Sequence, residues 1–114
     1  MAGFKTSRMS EDLKRELYAI IRTLKDPRVK DVMLSVVKAD VSNDGSHCKV
    51  YISAIEGMEK AKEAVQGLTH ASGLIRRELS NNLHMRRCPE LKFIADDSIE
   101  QSAHISKLIE EMED

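Results

Sequence analysis

A chain of 114 residues, 41% hydrophobic and 32% charged, is long enough for one core and too mixed to be disordered or membrane-embedded. No run approaches the eighteen or so apolar residues that a bilayer span needs. The opening "MAGFKTSRMSEDL" has no apolar signal-peptide core, so a cytosolic protein is expected. The net charge is −1, but it is unevenly spread. Residues 1–30 carry +4, residues 31–69 carry −2, residues 70–92 carry +3, and the segment from 93 to the end carries −6. A chain of this kind can present a basic face despite its balance.

The first helix is signalled by Ser10 as a cap, by Glu11 and Asp12 in a first turn, and by Met9, Leu13, Leu17, Ile20, Ile21 and Leu24 at helical spacing. "KDPR" ends it, because Pro27 disfavours helical geometry at Asp26. "VMLSVVKADV" and "HCKVYISAI" flank "SNDGS", which predicts a β-hairpin. In its second strand Cys48, Val50, Ile52 and Ala54 alternate with Lys49, Tyr51 and Ser53. A helix is expected from Met58, with Ala61, Val65 and Leu68 on one face, and Ile75, Leu79 and Leu83 resume the stripe. "ELKFIAD" is a third strand, and Ser98 with Gln101 caps a last helix carrying Ile105, Leu108, Ile109 and Met112. The order α-β-β-α-α-β-α, with no linker or repeat, predicts a single α+β domain over 1–114. Its helices pack on a small sheet.

Between the two middle helical stretches stands "HASGLIRREL", with Gly67 just upstream. Each glycine costs about 1 kcal/mol relative to alanine inside a helix, so the helix either breaks here or admits a close neighbour. If the close approach is at Gly73, any β-carbon there will clash.

Catalytic patterns are missing. There is no Gly-rich phosphate loop, no GxSxG and no HExxH. His84 and Cys88 are four apart, but "MRR" and Pro89 place a helix end between them. His47 and Cys48 point to opposite faces of a strand, His70 and His104 are isolated, and Asp96 and Asp97 sit where turns commonly hold aspartate. No catalytic residue, metal or cofactor is expected. Cys48 and Cys88 follow no disulfide or ligand spacing and are expected as dispensable thiols. A binding function remains. Tyr18, Tyr51, Phe4 and Phe93 are too few for base stacking of the RRM kind.

The α-β-β-α-α-β order is shared by KH-type domains and by several unrelated small domains, and the GXXG with which a KH domain clamps a nucleic-acid backbone is absent, "ASG" standing in its place. "THASGLIRREL", "LHMRRCPELKFIADDSI", "LKDPRV" and "CKVYIS", in this order, resemble the bacterial ribosome-binding factor A family from about Arg8 to Met112. The resemblance implies a KH-like type II fold, α-β-β-α-kink-α-β with a C-terminal helix, in which Ala71, Ser72 and Gly73 match the family's Ala-x-Gly kink. It also implies binding to the free small ribosomal subunit and help with late maturation, including processing of the 5′ end of 16S rRNA. Growth in the cold, release by a ribosome-assembly GTPase, action as a monomer and no covalent chemistry complete the expectation.

From charge and helix geometry, the RNA-facing residues are expected to be Arg76 and Arg77 on the helix after the kink and Arg86 and Arg87 in the following loop. Arg8, Lys14 and Arg15 of the first helix are the other basic group. The alternative is a protein-interaction domain of the same fold, working through its exposed helices.

Overall fold

The computed structural model describes residues 2–98, with side chains from Arg8 onward. The elements are α1 (Ala2–Ile21), α2 (Pro27–Lys30), β1 (Leu34–Val41), β2 (His47–Ala54), α3 (Met58–His70), α4 (Ser72–Leu83) and β3 (Glu90–Asp96). The expected last helix lies outside the described residues, apart from Ser98 at its head.

The first helix differs from expectation at both ends. It is already helical at Ala2, so Ser10 is an interior residue and not its cap. Nothing in "AGFKTSRM" stops a helix except one glycine at its edge, and Met9 extends the buried stripe by a turn. Leu13, Leu17, Ile20 and Ile21 are buried as their spacing requires. The helix stops at Ile21, short of the proline, in tight turns from the Thr23 and Leu24 amides to the Ile20 and Ile21 carbonyls. Pro27 then opens a second, four-residue helix that the sequence does not announce. Its ring pre-sets the first helical φ, and Asp26 caps it by accepting from the Arg28 amide at 2.9 Å. The Arg28 guanidinium folds back on the same carboxylate at 2.7 to 3.3 Å, which holds the Asp26 carboxyl below its ordinary range.

The hairpin forms as predicted. Gly45 takes φ +74°, which only glycine adopts freely, and the Asp44 carboxylate accepts from the Ser42 and Ser46 hydroxyls and the Ser46 amide. These bonds depress the Asp44 carboxyl to about 2. β1 and β2 pair antiparallel with a bulge at Val37, while β2 and β3 pair parallel. A parallel neighbour demands a long crossover, and α3 with α4 supplies it. Val36, Ala39, Val41, Cys48, Val50, Ile52 and Phe93 share one sheet face with Leu13, Leu17, Leu68, Ile75 and Leu79 of the helices. Among the described residues, the three long helices α1, α3 and α4 therefore contribute to one core on one side of the sheet.

β1 is one of the two edges of the described sheet, and Tyr18 covers part of it. Its hydroxyl accepts from the Val36 amide at 2.9 Å and lies 2.7 Å from the Ser35 hydroxyl. Tyr18→Phe leaves that edge amide without its partner and is expected to cost about 1–2 kcal/mol, read by urea unfolding. A variant as stable as the parent would mean that water satisfies the amide equally well.

The α3–α4 junction answers the question raised by the small residues. α3 ends at His70, α4 begins at Ser72, and Ala71 caps both with φ −91° and ψ 8°. The Ala71 amide still reaches the Gly67 carbonyl at 3.1 Å, and the Ile75 amide reaches the Ala71 carbonyl at 3.0 Å. Gly73, however, is exposed, with nothing within 4 Å of where a β-carbon would stand. The expected clash at position 73 is thus incorrect. The close approach belongs to Gly67, whose β-carbon would fall 2.9 Å from Val29 Cγ2 and 3.2 Å from an Asp26 carboxylate oxygen. It is α2 that presses on α3.

Candidate nucleic-acid interface

In α4, Ile75 and Leu79 are wholly buried, and this fixes what their neighbours do. At about 100° per residue, Arg77 points away from the core and Arg76 towards the loop after the helix. Both are exposed. The Arg76 guanidinium donates to the Cys88 carbonyl at 3.0 Å, so this arginine also ties the loop to the helix. The loop is anchored at three further points: His84 closes α4 in the left-handed conformation, the Met85 amide reaches the Ser80 carbonyl, and Cys88 and Pro89 are buried. Arg86 and Arg87 project between these anchors, exposed.

α1 contributes on two flanks. Arg8, Met9 and Asp12 share a groove with Leu83 and Met85, which brings exposed Arg8 beside the chain leading into Arg86 and Arg87. Lys14 lies on the opposite flank, in a groove with Ser10 and the β1 segment from Val37 to Val41. Arg15 is exposed between the two flanks and paired with Asp12 at 3.3 Å. Asn82 donates to Glu16 at 3.3 Å, so two carboxylates occupy the α1–α4 seam. The seven candidate cations therefore do not make one patch. Arg8, Arg86 and Arg87 lie by the α4 end with Arg76 as a strut, Arg77 stands exposed midway along α4, Arg15 is partly neutralised, and Lys14 faces elsewhere.

The thiols have no reactive setting. Burial pushes Cys48 up to about 12, and burial also raises Cys88, partly offset by Arg76 and Ser80. His84 is exposed while Cys88 is buried, so they form no catalytic pair. Cys48→Ala with Cys88→Ala is expected to leave RNA contact intact and to cost about 1–3 kcal/mol through lost packing, checked by thermal melting beside a binding assay. Among the described residues, no group of three or more His, Cys, Asp or Glu is placed to hold a metal ion, and no helix is long and apolar enough to cross a membrane.

Two features carry little signal in the sequence. One is the Asp26–Arg28 clamp, which a four-residue helix without periodicity cannot signal. The other is a set of lysines on the outer sheet face, discernible only as the polar half of the strand alternation.

A three-stranded mixed sheet backed by helices, with a broken helix pair as the β2–β3 crossover, defines a KH-like type II domain. The sequence model of ribosome-binding factor A matches residues 5–109, and the chain belongs to that family. The ribosome-binding factor A of Heliobacterium modesticaldum is 45% identical, over 99% of this chain and 93% of its own. The crystal structure of ribosome-binding factor A from Thermus thermophilus aligns with TM-score 0.70 and 32% identity, over 79% of this chain and 93% of that one. A homology model of the Thermus thermophilus factor, fitted into a cryo-EM map of a 30S complex with it, aligns with TM-score 0.60 and 34% identity, over 73% of this chain and 86% of that one.

Proposed function

We propose that this protein binds the free small ribosomal subunit through its 16S rRNA and assists late maturation, including processing of the rRNA 5′ end. The observation that carries this reading is the exposure of Arg77 on α4 and of Arg86 and Arg87 in the loop that follows it, with Arg8 beside the chain into that loop, on a member of a family with a relative fitted into a 30S complex. Phosphate contacts from these side chains supply salt-dependent affinity, and the shape of the rRNA supplies selectivity. The protein catalyses no covalent step, acts as a monomer in the cytoplasm, supports growth in the cold and leaves the subunit with help from a ribosome-assembly GTPase. Depletion of the protein tests the maturation role. Free small subunits carrying 5′-extended 16S precursor, mapped by primer extension, are expected to accumulate, most of all in the cold. Normal 5′ ends in depleted cells would remove the maturation role.

One observation favours the second reading, a protein-interaction domain. Met33 and Ile55, 68% and 53% exposed, lie side by side at one end of the hairpin, joined by a backbone bond of 3.2 Å. Binding to a ribosomal protein through this end would be insensitive to salt, whereas the rRNA reading requires steep salt dependence.

A further inference from the structure

All the described long helices pack on one side of the sheet, and its other side carries a compact array of charge around one aromatic ring. The pairing places Lys38, Tyr51 and Ile94 in one row across β1, β2 and β3, and Asp40, Lys49 and Lys92 in the next. Residues aligned across neighbouring strands share a face, and residues two apart along a strand do so as well. Lys38 is thus directly opposite Tyr51, Lys49 is its neighbour along the strand, and Lys92 is on its diagonal. The three lysines are exposed, and Tyr51 is half-buried between them. None of the three is in an ion pair among the described residues, and Asp40 is the one carboxylate within the two rows. Of the flanking rows, one holds His47 and Glu90, which pair with each other at 3.5 Å, and the other holds Ser35, fully buried Ser53 and Asp96, whose carboxylate is diagonal to Tyr51.

We infer that this outer sheet face is a second RNA-binding surface, which takes a single-stranded RNA segment with one base on Tyr51 and its phosphates on Lys38, Lys49 and Lys92. The charge complements a polyanion, and the ring offers what an unpaired base needs and a paired one cannot use. A single ring does not make the multi-base platform of an RRM. It fixes one base while the lysines hold the backbone that runs from it over β1 and the row of Lys49 and Lys92. The surface lies on the far side of the sheet from the helix arginines, so it is separate from the interface proposed there. The inference goes beyond the small-subunit reading and does not need it to be true.

Titration of the isotopically labelled protein with an unstructured ten-nucleotide oligouridine, followed by NMR, tests the proposal without ribosomes. The largest shift changes are expected at Lys38, Lys49, Tyr51, Lys92 and Ile94. Tyr51→Ala is expected to weaken binding roughly tenfold, while Tyr51→Phe, which keeps the stacking ring, stays within about twofold of the parent. Lys49→Gln with Lys92→Gln should lower the slope of log affinity against log salt by about 1.4. Shifts confined to α1, α4 and the 84–89 loop would overturn the proposal. So would a salt slope unchanged by the lysine pair, or equal affinities for folded Tyr51→Ala and Tyr51→Phe.

Discussion

Reversing Arg77 and Arg86 to glutamate is expected to leave the domain folded and to remove most of its affinity for the small subunit. Both side chains are exposed and neither makes a bond among the described residues, so the fold loses little. The interface loses much. Charge-assisted phosphate contacts contribute about 1.5–3 kcal/mol each, and a glutamate adds repulsion, so the dissociation constant should rise well over tenfold. The slope of log affinity against log salt should fall by about two, one for each released counterion. Arg76 is the wrong residue for this test. Its bond to the Cys88 carbonyl means that Arg76→Glu also loosens the loop that presents Arg86 and Arg87, which confounds charge with geometry. A folded Arg77→Glu, Arg86→Glu protein that binds like the parent across a salt series would move the interface away from the end of α4.

Two glycines six residues apart are expected to respond in opposite directions. At Gly67, the neighbours that would have to move are held. Val29 is 2% exposed with a stiff β-branched side chain, and Asp26 is clamped by its own cap bond and by Arg28. Gly67→Val therefore overpacks the α2–α3 contact and should cost about 2–4 kcal/mol, a fall of roughly 10–20 °C in melting temperature. Gly73 faces open space within a helix, so Gly73→Ala should gain up to about 1 kcal/mol from backbone entropy alone. Differential scanning calorimetry of both variants decides the matter. A Gly67→Val protein that melts with the parent would mean that α2 lifts away from α3 at little cost.

What could be seen in the sequence follows from what repeats. Leu13, Leu17 and Ile20, the alternation from Cys48 to Ala54, and the Ile75–Leu79 pair each recur at the period of their element, so helices, hairpin and third strand were legible with their buried faces. α2 has no room for a period, and Pro27 signals a stop and a start with the same ring. Which glycine meets a neighbour is not a local property: Gly67 and Gly73 look alike until Val29 is brought against one of them from a distant part of the chain. The same holds for the candidate interface. Arginines next to buried residues had to be exposed, but only the folded loop reveals that Arg76 is a strut and that Lys14 faces the β1 edge. The lysines of the sheet were visible as the polar half of a strand, which is also how ordinary solvating charges look.

The central claim, recognition of the free small subunit through a basic helix face, is met most directly by co-sedimentation of the purified protein with purified small subunits and with assembled ribosomes over a salt series. The protein is expected to travel with the small subunits at low salt, to leave them steeply as salt rises, and to stay at the top of the gradient with assembled ribosomes. Equal binding to both particles, or binding to small subunits that does not respond to salt, would contradict it.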